Sequence, residues 1–516
     1  MEKAAEDRVD PRRMLAFIAM CAGMFMAFLD IQIVSASLSE IQAGLSASAD
    51  EIPWVQTAYL VAEVISIPLS GFLSRALGTR ALFAASCAGF TFTSLMCGLS
   101  STMGGMIVWR AAQGFIGGGM IPSVFAAAYT VFPKSRQAMV TPVIGLIATL
   151  APTIGPTVGG YLTEALSWHW LFFINVVPGV AVTLAAWTLI DFDKPDYSLL
   201  DHFDWWGLVT MAGFLGPLEY VLEEGPQHDW LQDDAVLYAA IVSGLSAIAF
   251  VWRALSARAP IVDLRAFGNG NFALGSLFSF VLGIGLYGLT YLYPRYLANV
   301  RGYTSLMIGE TMFVSGLAMF LTAPVAGRLS GKVDPRAMLV LGFLLFAAGT
   351  FGMSDVTKDW DFWELFVPQV LRGVGLMFAM IPVTNIALGT MPADRLKNAS
   401  GLFNLTRNLG GAIGLAVINT VLDDRMDLHL ARLREASNWS RGPAADRLAA
   451  LAGKFHGFGA DAQAMALRQM ALSVRREALV MSFADVFLLL TALFAALAVF
   501  GLLMKKPAAE AAAPAH

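Results

Sequence analysis

Three ionisable side chains lie inside long apolar stretches of the sequence, where burial would change their acid–base chemistry. Asp30, Glu63 and Arg110 are each surrounded by mostly apolar residues. A carboxylate in an apolar cavity holds a proton more readily because desolvation disfavours its charged form, and a nearby guanidinium has the opposite effect. The three side chains therefore predict a proton-binding group in which Asp30 and Glu63 share protonation and Arg110 tunes their proton affinity.

Helical rise places these three residues at compatible depths in a membrane. At about 1.5 Å per residue, Asp30 lies about 25 Å beyond Arg13 in a first span, and Glu63 lies about 15 Å inward from Pro53 in a second. Arg110 lies about 10 Å below the same surface in a fourth span. Asp30 and Arg110 could instead extend to the membrane surface, whereas Glu63 is too deep to do so easily.

The composition is that of an all-α integral membrane protein. Hydrophobic residues make up 57% of the 516 residues, and charged residues make up 14%. Apolar runs of about 18 or more residues predict about fourteen membrane-spanning helices. Their approximate ranges are 14–36, 53–73, 81–99, 104–130, 138–162, 170–190, 205–222, 235–255, 272–297, 305–327, 337–354, 362–387, 399–422 and 480–504.

A segment at the end of the second span recurs 256 residues later. Gly71 and Arg80 match Gly327 and Arg336, and each copy closes an even-numbered span. Such a repeat is typical of a duplicated helical bundle, here with two further helices between the copies. The predicted units are an N-terminal six-helix bundle at 1–190, two additional helices and linkers at 191–260, a C-terminal six-helix bundle at 261–504 with a long periplasmic loop at 425–478, and a cytoplasmic tail at 505–516.

Basic residues are concentrated on one side of the predicted spans. The termini and short loops on the side of the N-terminus carry about nineteen Lys and Arg, against about two on the opposite side. Because basic loops stay in the cytoplasm, both termini are predicted to be cytoplasmic.

The stretch from Gly145 to Gly160 is rich in residues that bend helices and allow close packing. Its glycines and prolines are Gly145, Pro152, Gly155, Pro156, Gly159 and Gly160. Proline removes a backbone donor and favours a kink, while glycine lets a neighbouring helix approach. The pattern resembles the antiporter motif in helix five of drug:proton exporters of the major facilitator superfamily. The packing face of an ordinary membrane helix is the alternative.

Other motifs extend this resemblance over nearly the whole chain. Segments 29–41, 54–71, 109–122, 167–179 and 401–414 resemble the first, second, fourth, sixth and thirteenth helices of the fourteen-helix drug:H+ antiporter family. The resemblance implies the major facilitator fold, with two six-helix bundles plus two additional transmembrane helices. It also implies proton-driven export of hydrophobic or amphipathic toxic compounds across the inner membrane by alternating access.

The resemblance implies partners as well. The implied partners are small-molecule substrates and the lipid bilayer, and nucleic acid is not among them. No cofactor is implied, since the proton gradient supplies the energy. A periplasmic adaptor protein and an outer-membrane channel could dock at the loop 425–478, although a plain solvated hairpin fits that sequence equally.

One motif departs from the family pattern. Gly71, Gly78 and Arg80 match the superfamily's loop motif between helices two and three. Its acidic position is occupied by Arg75, so the conformational lock usually assigned to that acid cannot be carried over.

The C-terminal half contributes four further candidates. Glu310 and Arg372 are predicted within the membrane, while Asn404 and Arg407 belong to the segment that resembles the thirteenth helix. Asn404 with Arg407 could bind an anionic substrate or a carboxylate of the N-terminal half, or could form a structural pair between helices. A cluster of exposed carboxylates is expected at the end of the first additional helix: Glu219, Glu223 and Glu224.

Two other functions stay open at this point. A proton-coupled transporter of one specific metabolite would need a dedicated polar pocket, and a membrane enzyme or receptor could use a transporter-like body. The sequence contains no phosphate-binding P-loop and no HExxH motif, and its His and Cys residues do not predict a metal site. A transporter that is not an enzyme is therefore favoured.

Overall fold

Helices make up nearly all of the described chain. The computed structural model describes residues 10–48, 51–201, 203–257, 260–392, 394–436 and 442–503. Within these ranges the chain forms α-helices, short 3-10 turns and one π-helical turn, with no strand. The prediction of an all-α protein is confirmed. The tail 505–516 and the side chain of Pro152 lie outside the described residues.

The N-terminal part supplies the first six predicted spans. Its helices are α1 (Pro11–Ala36), α2 (Leu38–Leu45), α3 (Trp54–Gly98), α4 (Met103–Gly117), α5 (Met120–Val131), α6 (Lys134–Ala165), α7 (Trp170–Phe173) and α8 (Val176–Leu189). Helix α3 holds the second and third spans, which are separated by a break at Gly78. The fourth span is α4 with α5, and the sixth is α7 with α8.

The rest of the chain supplies the additional pair and the second bundle. Its helices are α9 (Ser198–Asp201), α10 (Trp205–Glu224), α11 (Asp234–Ser256), α12 (Gly270–Tyr296), α13 (Ser305–Ser330), α14 (Pro335–Gly352), α15 (Phe362–Leu388), α16 (Leu396–Ala436), α17 (Gly442–Lys454) and α18 (Ala462–Leu503). Helices α10 and α11 are the additional pair. The end of the helical body at which α1 begins is called the N-terminal face. The other end is called the opposite face.

The helices agree with a protein that crosses the membrane many times. In the described residues, 11 helical segments are long and apolar enough to span a bilayer, and one of these, α3, contains two predicted spans. The remaining two predicted spans are α6, with 32 residues, and α10, with 20 residues. The arrangement is therefore consistent with the fourteen predicted spans.

Polar residues at the helix ends satisfy backbone donors that lipid could not. The carboxylates of Asp10 and Asp233 accept hydrogen bonds from the first backbone amides of α1 and α11, and Asn269 does the same for α12. Asp361 and Glu364 form a reciprocal capping box at the start of α15. Between these caps the apolar helices pair their own backbone groups, as a membrane interior requires.

Several helix pairs join the two bundles. Helix α6 packs along α13, and α3 packs along α16. Helix α10 packs against α11, against α3 and against α16, so it contacts both bundles rather than standing apart in lipid. This placement brings one of the additional helices to the boundary between the bundles.

The described residues of the segment 425–478 are mainly helical. Helix α16 continues to Ala436, α17 lies within the segment, and α18 begins at Ala462. At about 1.5 Å per residue, a helix of 41 residues such as α16 is about 60 Å long, against about 30 Å for the hydrocarbon core. The flanking helices therefore project well beyond the opposite face.

Candidate functional site

Asp30 and Arg110 form a direct ion pair inside the N-terminal bundle. Nη1 of Arg110 lies 2.7 Å from Oδ2 of Asp30, and both side chains have 0% exposure. Oδ1 of Asp30 accepts a hydrogen bond of 3.1 Å from Gln113 and one of 2.7 Å from Asn175. Side chains from α1, from α4 and from the junction between α7 and α8, where Asn175 lies, therefore meet at this carboxylate.

Arg110 is held by three other contacts. Its Nε donates to the carbonyl oxygen of Val55 at 2.9 Å, and its Nη1 also donates to Gln113 at 2.7 Å. Its guanidinium carbon lies 4.3 Å from the ring centroid of Tyr59, within the range of a cation–π contact. Because the ion pair is fully buried, the alternative in which Asp30 and Arg110 extend to the membrane surface is wrong.

Glu63 lies apart from this ion pair and faces a central cavity. The cavity has a volume of about 410 Å³ and lies between the bundles toward the opposite face. Glu63 is 3% exposed, and its Oε1 has no hydrogen-bond partner among the described residues. Asp30 and Arg110 are within electrostatic range of Glu63 without contacting it. The two carboxylates are thus neighbours with different environments.

The additional helix α10 lines the same cavity. Glu219 and Glu223 border it, and Glu219 is 7% exposed. Glu224 is 4% exposed and accepts a hydrogen bond of 3.1 Å from Thr57. The expectation of an exposed interfacial cluster is therefore wrong, because α10 packs against α3 and α16 and turns these carboxylates inward.

The glycine-rich segment of α6 makes close helix contacts. A side chain at Gly155 would place its Cβ 2.5 Å from Cβ of Gln32, and one at Gly159 would lie 3.1 Å from the carbonyl oxygen of Ile33. On the other side of α6, Gly145 faces Met377 and Met380 of α15.

The glycines of α6 therefore allow it to approach α1 closely while it also contacts the second bundle. Pro156 and Gly160 lie in the same uninterrupted helix, and both are half-buried. The segment is helical through all these positions, including the backbone at 152.

The loop motif lies where the bundles meet at the N-terminal face. A Cβ at Gly71 would lie 2.9 Å from the carbonyl oxygen of Lys397 in α16. Gly78 has a φ of 81°, which favours glycine, and its Cα faces Pro195. Arg80 forms an ion pair of 3.2 Å with Asp191.

An acid that the motif comparison missed lies beside this loop. Asp193 accepts hydrogen bonds of 3.1 Å from the backbone amide of Thr79 and 3.2 Å from its hydroxyl. It also pairs with Lys397 of α16, which in addition donates to the carbonyl oxygen of Ser74 at 2.8 Å. Asp193 therefore links the two bundles at the face where the motif's own acid is replaced by Arg75.

The C-terminal candidates do not assemble into one site. Arg407 stacks over Phe125 of the N-terminal bundle, with 4.9 Å between guanidinium carbon and ring centroid, and Asn404 donates to a carbonyl oxygen of its own helix. Arg372 is fully buried, lies over Tyr293, and has no hydrogen-bond partner among the described residues. Glu310 is exposed on α13 and does not border the cavity.

Sequence reasoning missed the place of three side chains in the site. Asn175 lies in a segment that the motif comparison quoted, but its bond to Asp30 joins residues 145 positions apart. Glu219 and Glu223 were expected to be exposed, although Glu219 lies within the predicted span 205–222 and Glu223 directly follows it. The described residues contain no group of His, Cys, Asp and Glu arranged to hold a metal ion.

Comparisons with known proteins agree with this architecture. The sequence profile of the Major Facilitator Superfamily matches residues 20–415. The chain is 42% identical to the colistin resistance protein EmrB of Acinetobacter baumannii over 92% of this chain and 93% of the relative. It is 30% identical to the multidrug export protein EmrB of Escherichia coli K12 over 92% of both chains.

A solved structure supports the fold. The proton:xylose symporter XylE, a major facilitator protein, has a TM-score of 0.58 with 10% identity, covering 93% of this chain and 94% of that chain. At this identity the likeness concerns the fold alone. Together with the profile match and the two relatives, it identifies a multi-pass membrane transporter and not an enzyme. The chain belongs to the major facilitator superfamily and, within it, to the family of multidrug export proteins.

Proposed function

We propose that this protein exports hydrophobic or amphipathic toxic compounds in exchange for protons, by alternating access across the inner membrane. The observation that carries the proposal is the buried pair of Asp30 and Arg110 beside a cavity that Glu63 borders. Buried carboxylates next to a movable guanidinium can bind and release protons as the protein changes conformation. The name of the Escherichia coli relative, a multidrug export protein, supports export as the direction of transport, and the name of the Acinetobacter baumannii relative supports a role in resistance to a toxic compound.

Glu63 is the group that a proton reaches first from the cavity. Asp30 is occupied by Arg110, Gln113 and Asn175, whereas Oε1 of Glu63 has no partner among the described residues. Arg110 attracts both carboxylates. A shift of its guanidinium toward Glu63 would therefore favour proton release from Glu63 and leave Asp30 free to take up a proton.

The two faces of the bundle differ in a way that fits one state of alternating access. The cavity lies toward the opposite face, whereas the bundles touch at the N-terminal face through Asp193 with Lys397 and through Ser400, which donates to the carbonyl oxygen of Pro122 at 2.7 Å. The excess of basic residues at the N-terminal face supports a cytoplasmic location for both termini. The cavity would then open to the outside.

The projecting helices support a docking role. Helices α16 and α18 extend beyond the span of a bilayer on the face that this orientation places in the periplasm. We therefore include a periplasmic adaptor protein and an outer-membrane channel among the proposed partners, together with small-molecule substrates and lipid.

Transport by purified protein in liposomes tests the proposal. Efflux of several chemically unrelated dyes is measured under an imposed pH gradient while the lumenal pH is recorded, for wild type and for Glu63→Gln. We expect gradient-dependent movement of several dyes in wild type and loss of at least about tenfold of the coupled rate in the variant, as for loss of a proton-transfer group.

Glu310→Gln is the matched control because Glu310 is an exposed carboxylate away from the cavity, and it should transport at the wild-type rate. Equal coupled rates in Glu63→Gln and wild type would contradict the role of Glu63. Movement of one compound alone would indicate a transporter of a specific metabolite instead.

A further inference from the structure

The central cavity is lined by acidic side chains and lacks basic ones. Glu63 reaches it from α3, and Glu219 and Glu223 reach it from α10. No Lys, Arg or His borders the cavity within the described ranges of the chain. A cleft with one sign of charge and low-dielectric walls concentrates ions of the opposite sign. The cavity therefore favours cations over anions.

Two acceptor atoms in the cavity wall point to a missing donor. Oε1 of Glu63 and Oε1 of Gln56 are buried, and neither has a hydrogen-bond partner among the described residues. Both side chains border the cavity. A buried acceptor without a donor is costly, so a ligand that brings a donor or a positive charge is stabilised there.

The remaining wall suits an organic body. Tyr287 and Tyr291 of α12 border the cavity together with apolar side chains such as Leu60, Leu222 and Leu415. Aromatic faces attract cations, and apolar side chains bury the carbon skeleton of a ligand. The volume of about 410 Å³ falls in the range of sites for small organic molecules.

We propose that Glu219 and Glu223, on the additional helix α10, bind the positively charged group of organic cations that have an apolar body. Glu219 lies within electrostatic range of both Glu63 and Glu223, so a cation between them is attracted by all three carboxylates. The additional helix is then part of the substrate site and not only a spacer between the bundles. This proposal rests on the proposed function, since it assigns the charge of the compounds that the cavity takes.

Two probes of the same shape and opposite charge provide the test. Equilibrium binding of tetraphenylphosphonium and of tetraphenylborate is measured at one fixed pH with the full chain in lipid nanodiscs, with empty nanodiscs subtracted. We expect saturable binding of the phosphonium to wild type and affinity lower by about tenfold or more in Glu219→Gln/Glu223→Gln, because charge pairs dominate such recognition. Tetraphenylborate should bind better to that double variant than to wild type.

Two controls keep the result interpretable. Glu310→Gln removes an exposed carboxylate elsewhere and should bind the phosphonium as wild type does, and Glu223→Asp keeps the charge and should retain most of the affinity. The thermal unfolding midpoint of each variant checks that it is folded.

The outcomes separate this proposal from the proposed function. Unchanged phosphonium affinity in the folded double variant, or equal binding of both probes to wild type, would overturn the cation site. Charge-dependent binding without gradient-driven transport would leave the cation site standing and contradict proton-driven export.

Discussion

At the residue scale, Arg110 holds a buried positive charge that depends on one carboxylate. Nη1 of Arg110 lies 2.7 Å from the carboxylate of Asp30, and Nη2 of Arg110 has no hydrogen-bond partner among the described residues. We predict that Asp30→Asn abolishes coupled transport and also destabilises the protein by about 3 kcal/mol, because it leaves an uncompensated buried charge. Thermal unfolding in detergent and efflux under a pH gradient measure the two effects.

A double variant separates these effects. Asp30→Asn/Arg110→Gln removes both charges, so the unfolding midpoint should return toward that of wild type while coupled transport stays lost. Glu63→Gln is the stability control: Glu63 makes no ion pair among the described residues and its Oε1 accepts no hydrogen bond there, so this variant should keep the wild-type midpoint. A normal midpoint in Asp30→Asn alone would mean that Arg110 has another anionic partner.

At the element scale, α6 depends on a missing side chain where it approaches α1. We predict that Gly155→Ala lowers both stability and transport, because the new Cβ would lie 2.5 Å from Cβ of Gln32 and must push the helices apart. Such overpacking costs about 1–3 kcal/mol. Gln32 also borders the cavity, so the shift reaches the substrate site.

Gly244→Ala is the matched control for that helix contact. Gly244 lies on α11, where a Cβ would have no neighbouring atom within 4 Å, and alanine favours helix formation. It should keep the wild-type unfolding midpoint and efflux rate. Equal unfolding midpoints and efflux rates in the two variants would mean that neither stability nor transport depends on the close contact between α1 and α6.

The helices were easier to predict from the sequence than the helices that each of them packs against. The fourteen apolar runs each correspond to helical residues, because a membrane interior forces backbone groups to pair within each helix. Glu219 was misplaced because its position near a helix end says nothing about the partner of that helix. Only the packing of α10 against α3 and α16 turns its carboxylate toward the cavity.

At the scale of the whole molecule, closure of the N-terminal face depends on a contact that no local motif indicates. Asp193 lies in the linker after α8, and its partner Lys397 is 204 residues away in the second bundle. The loop motif carries Arg75 at the usual acidic position, so the conformational lock assigned to that acid could not be carried over from the resemblance. Asp193 provides an acid in the same region through the fold.

We predict that Asp193→Asn opens the N-terminal face, because it weakens the only ion pair found between the two bundles there in the described residues. Ser400→Cys reports the opening, since Ser400 is buried between the bundles and donates to Pro122 of α5. If the substitution lowers the free energy of opening this face by about 1 kcal/mol, the rate of maleimide labelling should rise about fivefold.

Protein without Ser400→Cys measures the background from native Cys21, Cys87 and Cys97, which are buried. The exchanged pair Asp193→Lys/Lys397→Asp should restore slow labelling, although Thr79 loses its acceptor. Equal labelling of Asp193→Asn and wild type would mean that helix packing alone, through Gly71 and Gly401, holds this face closed.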